Sequence, residues 1–412
     1  MKKYAFDTQL VHADRLLNHP ESGAVHQATN NSVLFEFDDV ADLEAVFQGK
    51  KNGHVYSRSS SGSVVALQNM LAQLEQGMSA TAFATGMAAI SSLFFSILRA
   101  GDHIIVSRYL FGNTRSLLET LQHFGVEISF VDVTDIQAVI AVQKSNTRMV
   151  FCESIANPGT QVADLSAIGA WCASQQILFV LDNTMTPRVL LDPHRVKADL
   201  LVTSLTKYIG GHGNVLGGAI IDMGSYNWQQ YPNIVDAYKS YPTEQWGTVQ
   251  IRKRGLRDQG ASLAPSAAAQ ISVGLETLQM RVRKTCNNAL SLAKFLRAHA
   301  AIKQVNYPGL AEHPQHQRAT ELFELGYGGI LSFELAEHLD KRSLLNNLAL
   351  VISATHLGDT RTLALPVATT IYFESSEAER ASMGISDNLI RLSLGIENIE
   401  DLIADFEQAL SR

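Results

Sequence analysis

The chain has 412 residues, 46% of them hydrophobic and 18% charged, which is enough for two domains with substantial cores. A formal net charge of −7 leaves no cationic footprint for nucleic acid or an anionic membrane, so small molecules and further copies of the chain are the expected partners. Cys152, Cys172 and Cys286 share no motif spacing, which argues against a disulfide framework or a zinc site, and no apolar leader or membrane-length run is present, so a cytoplasmic protein is expected.

Residues 1–58 show weak periodicity with scattered Asn, Ser and His, and are expected to form an arm rather than a domain. From there to residue 250 the pattern changes. Short apolar runs at 103–107, 126–131, 148–152, 177–181, 200–203 and 219–221 alternate with longer helix-like segments. That rhythm predicts an α/β domain over 59–250, with a mostly parallel sheet covered by helices on both faces. Its last part, 223–250, is rich in Tyr, Trp, Pro and Gln and predicts a loop excursion out of the sheet. Beyond it, 267–300 has the pattern of one long amphipathic helix. Residues 329–335 and 389–394 alternate as strands, and 399–410 closes the chain as a helix. Together they predict a smaller α+β domain over 251–412.

In sheets of this kind ligands sit beyond the C-terminal strand ends. Asp182, Lys207, and Glu153 with Asn157 each follow an apolar run and fall at that edge. The stretch SLTKYIGGHGNVLGG, 204–218, flanks Lys207 with the hydroxyls of Ser204 and Thr206, and its glycines are expected to let backbone approach a ligand. A lysine in a dry pocket loses basicity and becomes an amine able to form a Schiff base. Pyridoxal phosphate asks for such a lysine, a carboxylate for its ring nitrogen, donors for a phosphate dianion and an arginine for the substrate carboxylate. Lys207 and Asp182 match the first two. Gly86 opens an apolar helix whose first amides suit the phosphate, and Tyr56 and Arg58 can add a phenol and a guanidinium to it. Arg391 interrupts an apolar alternation, either as an edge-strand cation or as a bidentate clamp on a carboxylate.

With these residues the sequence resembles the cysteine/methionine-metabolism family of pyridoxal-phosphate enzymes, which holds cystathionine γ-synthase, cystathionine and methionine lyases, and O-acylhomoserine sulfhydrylases. The matching stretches run through nearly the whole chain: Tyr56-Ser-Arg58, ATGMAAI at 84–90, ESIANP at 153–158, DNT at 182–184, SLTKYIGGHG at 204–213, NYPGL at 306–310 and GISDNLIRLSLGIENIEDL at 384–402. The resemblance implies the aspartate-aminotransferase-like type I fold and a homotetramer of dimers that share active sites. It implies that Lys207 is the Schiff-base lysine, that Asp182 pairs with the ring nitrogen, and that Gly86, Met87, Ser204 and Thr206 bind phosphate. Tyr56 and Arg58 would reach the neighbouring subunit's cofactor, while Asn157 and Arg391 would face the cofactor's phenolic oxygen and the substrate carboxylate.

The departures bear on substrate. Phe111 stands where the family stacks a tyrosine on the cofactor, which keeps the π-face and deletes the phenol. Asn113 stands where methionine γ-lyases have a cysteine, and His356 where a serine is usual near the substrate. Ser60-Ser61-Gly62 replaces the family's Asn-Pro-Thr, and Leu365-Pro-Val-Ala-Thr369 its His-Pro-Ala-Ser/Thr. Residues 226–232 and 256–261 resemble the corresponding region of O-acetylhomoserine sulfhydrylases. The expectation is γ-replacement on an O-acylhomoserine with sulfide or a small thiol. α,γ-Elimination of methionine or cystathionine is the alternative within the family, and a non-catalytic cofactor-binding relative is the alternative outside it. A dinucleotide module is disfavoured because no Gly-x-Gly-x-x-Gly opens a helix after the first strand.

Overall fold

The structure, a computed structural model, describes residues 4–15 and 23–411. Seven strands form the larger sheet: β1 (Ser79–Phe83), β2 (His103–Ser107), β3 (Glu127–Val131), β4 (Thr147–Glu153), β5 (Leu178–Asp182), β6 (Leu200–Thr203) and β7 (Gly218–Asp222). Their order across the sheet is β1-β7-β6-β5-β4-β2-β3. All neighbours run parallel except β7, which is antiparallel to both β1 and β6. Alternate residues feed two cores: Ile104, Val106, Leu200 and Val202 pack on one face, Ile105 and Leu201 on the other. Burial on both faces explains why these strands read as continuous apolar runs.

The segment expected to leave the sheet instead folds back onto it. Trp228, Tyr231 and Tyr238 are buried in one core with Phe94, Ile97 and Ile251. Gly247 makes this possible, since a Cβ there would lie 2.0 Å from the Trp228 ring. Aromatic residues without periodicity marked a packed irregular segment, because each large ring buries much apolar surface without needing a regular face. The chain stays on the large sheet past residue 250: Ile251 and Leu256 of the π-helix Ile251–Arg257 belong to the same core.

The long predicted helix is two helices, Pro265–Glu276 and Leu278–Ala298, that meet at Thr277. The second joins two cores, with Leu278, Val282 and Cys286 under the large sheet and Ala289, Leu292 and Leu296 under the small one. The smaller sheet has five strands: β8 (Ile302–Asn306), β9 (Ile330–Leu335), β10 (Ile352–Ser353), β11 (Leu363–Pro366) and β12 (Leu389–Ser393), in the order β10-β11-β12-β9-β8. The helix Ile399–Leu410 closes it as predicted. Cys152, Cys172 and Cys286 are buried and unpaired. Among the described residues no helix is long and apolar enough to cross a membrane.

Candidate active site

Asp182 ends β5 and Glu153 ends β4; the two strands are parallel neighbours, and the two acids stand opposite each other in register. Lys207 follows β6 in the loop toward β7. These side chains meet at the C-terminal edge of the sheet in a cavity of about 450 Å³, which Gly86, Met87, Phe111, Asn157, Ser204, Thr206 and Arg391 also line. Sequence spacing could place each residue at a strand end or a helix start; the sheet order brings them together.

Each side chain has a local reason for its place. The helix Gly86–Ile97 points its N-terminus at the cavity, and Thr85 caps it by accepting from the Ala88 amide at 2.9 Å. Its first amides have no partner within the helix and suit an anion. A Cβ on Gly86 would stand 2.8 Å from the Ser204 Cβ, so only glycine lets helix and lysine loop approach this closely. Ser204 Oγ has no protein partner among the described residues. The Thr206 hydroxyl is used internally: it donates to the Gly217 carbonyl at 3.1 Å and accepts from the Gly217 amide at 3.0 Å.

The glycine run was expected to face a ligand, and it faces protein. A Cβ at Gly211 would meet the Arg281 guanidinium, one at Gly217 the Ile271 side chain, and one at Gly218 the Thr85 carbonyl. Glycine here allows backbone to approach backbone and helix, which a sequence cannot distinguish from approach to a ligand.

Arg391 is not an edge-strand cation. It lies on β12, paired with β11 on one side and β9 on the other, and is only 1% exposed. Its Nη2 donates to the carbonyls of His356 at 2.8 Å and Thr355 at 3.3 Å, while its Nε is buried without a partner. Burial lowers its pKa to about 10. Burial, then the charge of Arg391, lowers Lys207 to about 8. Burial raises the Asp182 carboxyl, against hydrogen bonds from Thr184. Burial and the neighbouring Asp182 push Glu153 up to about 8. Asn157 is buried and its Oδ1 has no partner.

Phe111 precedes the helix Gly112–His123, and its amide donates to Glu153 Oε1 at 2.8 Å. His356 does not line the cavity; its Nδ1 lies 3.3 Å from Lys207 Nζ. Tyr56 and Arg58 lie outside this chain's own cavity. Tyr56 is 46% exposed, and Arg58 packs on its ring and donates to the Arg257 carbonyl at 2.8 Å. Glu153 lines the cavity, as its place at the same sheet edge led one to expect, but the sequence assigns it no role there. Its neighbour Asp182 is 29 residues away, and only strand order shows that the two acids face each other.

The donor set fits pyridoxal phosphate: free helix amides and a serine hydroxyl for the phosphate, an unpartnered carboxamide, an acid at a strand end and a lysine of lowered basicity. The fold that carries them is that of the type I pyridoxal-phosphate enzymes. The chain belongs to the Cys/Met metabolism PLP-dependent enzyme family, whose profile matches residues 7–411. It is 36% identical over 415 residues to an L-methionine gamma-lyase of Fusobacterium nucleatum subsp. polymorphum, covering 100% of this chain and 99% of that protein. An O-acetyl-L-homoserine sulfhydrylase of Leptospira meyeri is 34% identical over 397 residues, covering 91% of this chain and 90% of that one. Among solved structures, a Campylobacter jejuni chain described as a candidate O-acetylhomoserine (thiol)-lyase superposes with a TM-score of 0.94 at 31% identity. That match covers 99% of this chain and 100% of the other, and the structure carries N'-pyridoxyl-lysine-5'-monophosphate. The chain is therefore a pyridoxal-phosphate-dependent enzyme of sulfur amino-acid metabolism.

Proposed function

We propose that the enzyme replaces the γ-substituent of an O-acylhomoserine with sulfide or a small thiol, giving a homocysteine-type product. The observation that carries this reading is the cavity wall supplied by this chain, which holds Phe111 at the stacking position and no tyrosine. Two buried phenols stand close by without lining the cavity: Tyr372, which donates to the Asn157 carbonyl at 3.1 Å, and Tyr208, next to Lys207, whose hydroxyl has no partner among the described residues. A thiolate leaving from the γ-carbon gains from an acid beside it, whereas a carboxylate departs as a stable anion without one. Relatives of both kinds are similarly close, so their names do not choose between lyase and sulfhydrylase.

Pyridoxal phosphate, when bound, supplies the electron sink that makes the α- and β-protons of the amino acid acidic. Gly86 and Met87 amides with Ser204 would hold its phosphate, joined by Tyr56 and Arg58 of a second copy. Asp182 would pair with its ring nitrogen and Asn157 with its phenolic oxygen. Arg391 would clamp the substrate carboxylate with its unpartnered edge. Lys207, with its lowered basicity, would take the α-proton and then the β-proton.

A second copy is part of this reading. The helix Val40–Phe47 has no buried residue, and Val25, Val33, Leu34, Val40 and Phe47 are exposed on the same N-terminal segment, as expected of an arm that lies on a neighbour in a homotetramer.

The deciding experiment is a substrate panel with purified holoenzyme. Homocysteine from O-acetyl- or O-succinylhomoserine plus sulfide is expected about a hundredfold faster than α-ketobutyrate from methionine or cystathionine. Faster release of α-ketobutyrate would replace this reading with the lyase.

A further inference from the structure

Lys207 Nζ has one hydrogen-bond partner among the described residues, His356 Nδ1 at 3.3 Å. As an ammonium Lys207 can only donate, so in that state Nδ1 accepts and the ring hydrogen sits on Nε2. Nε2 is buried without a partner. The contact is built in from both sides. Arg391 holds the backbone carbonyl of His356, and the Gly358 amide donates to Ser393 Oγ at 3.0 Å. Gly358 has φ +72°, and a Cβ there would meet the Tyr208 nitrogen at 2.7 Å and the Lys207 carbonyl carbon at 3.1 Å. The turn that carries His356 therefore lies directly against the backbone of Lys207.

The charged groups facing the ring are Lys207, Arg391 and Arg361, which oppose its protonation, and Asp359, which favours it. Burial comes first among the causes, and the ring is held at about 4. With Lys207 at about 8, the two nitrogens share one proton near neutrality, and it sits on the amine. Removing the amine's charge removes one of the groups that keep the ring neutral.

We propose that Lys207 and His356 form a coupled pair: the neutral ring positions the amine through Nδ1, and its titration moves to higher pH when the amine loses its charge in a covalent linkage. As the Lys207 ammonium condenses with a carbonyl, the C=O bond breaks and its oxygen leaves as water with two of the Nζ hydrogens, and the third is released as a proton to solvent or, at acid pH, to Nδ1; hydrolysis returns all three to Nζ. Nothing is oxidised or reduced. The inference rests on Lys207 being the cofactor-bearing lysine, and not on which reaction follows.

The test uses apoprotein and no substrate, so its failure would leave the sulfhydrylase reading standing. Deuterium exchange at the His356 ring carbon, followed against pH by peptide mass spectrometry, reports the ring's titration. In Lys207→Met the midpoint should rise by about one unit or more relative to wild type, the size expected for losing a charge at hydrogen-bond distance in a partly wet site. If that variant does not fold, wild type acetylated at Lys207 should show the same rise. An unchanged midpoint overturns the pair. For the positioning role, Lys207 acylation by acetic anhydride is compared between His356→Asn, which keeps an acceptor near the Nδ1 position, and His356→Ala. The alanine variant should react about fivefold slower, the worth of one hydrogen bond, while asparagine stays near wild type. Equal rates in the two variants overturn that role.

Discussion

Phe111 reaches the cavity through Glu153, which accepts its amide hydrogen and is itself held largely protonated near neutrality by burial beside Asp182. One acid thus anchors the residue that lacks a phenol. If the missing phenol decides what can leave, Phe111→Tyr should raise methionine or cystathionine elimination by about two orders of magnitude and change acylhomoserine turnover far less. Steady-state rates on both substrate classes check this, and an equal change on both would remove the leaving-group argument. Phe111 was legible because it breaks a motif. For Glu153 the sheet edge was legible but the role was not, because that arises from its neighbour Asp182 on another strand.

At the scale of elements, the site depends on the helix Gly86–Ile97 meeting the loop after β6. Gly86→Ala would push a methyl group to 2.8 Å from Ser204 Cβ and 2.9 Å from Ser204 Oγ, so helix and loop must part where the phosphate would lie. Cofactor affinity should fall about tenfold or more, read by titrating apoprotein with pyridoxal phosphate, because a charge-assisted hydrogen bond contributes roughly 1.5–3 kcal/mol. Thermal stability without cofactor should change less; unchanged affinity would place the phosphate elsewhere. The helix start was legible from Gly86 and the apolar run behind it. The break at Thr277 was not, since Pro265–Glu276 and Leu278–Ala298 carry a nearly continuous pattern. The break accompanies Arg281, whose Nε donates to Thr277 Oγ1 and whose guanidinium bonds the carbonyls of Tyr208 and Ile209 behind the lysine.

For the whole molecule, Tyr56 and Arg58 do not line their own chain's cavity, which fits a site completed by a second copy. Hybrids of inactive Lys207→Ala and inactive Arg58→Ala subunits should recover part of the activity, since one site in the mixture can hold both intact residues. Hybrids shown to form but lacking activity would favour sites built from one chain. A second whole-molecule property is pH. Glu75 is fully buried; burial outweighs the nearby Arg188 and the hydrogen bond from Asn183 and raises its pKa to about 7. A raised carboxyl binds a proton in the folded state that the unfolded chain has already lost, so its contribution is complete below the unfolded value and disappears as pH rises through about 7. Glu75→Gln cannot titrate. Between pH 5 and 7.5 the stability difference should shift in its favour by about 3 kcal/mol at most, and stay level above pH 8, as read by denaturant unfolding of apoprotein. A constant difference across this range would show that Glu75 titrates normally.

By itself the sequence determined what periodicity and strand-end chemistry encode locally: the parallel runs from His103 to Thr203, the closing helix Ile399–Leu410, and the placing of Asp182 and Lys207 beyond apolar strands. Hydrophobic alternation is a property of a few consecutive residues, so it survives without knowledge of neighbours. Tertiary structure decided the antiparallel course of β7, the burial of Trp228 and Tyr231, the interior position of Arg391 and the contact of His356 with Lys207 across 149 residues. Burial of apolar surface is non-directional, so it favours collapse without naming the partner. Which distant strands pair, and in what register, follows only once every element has found a face to cover.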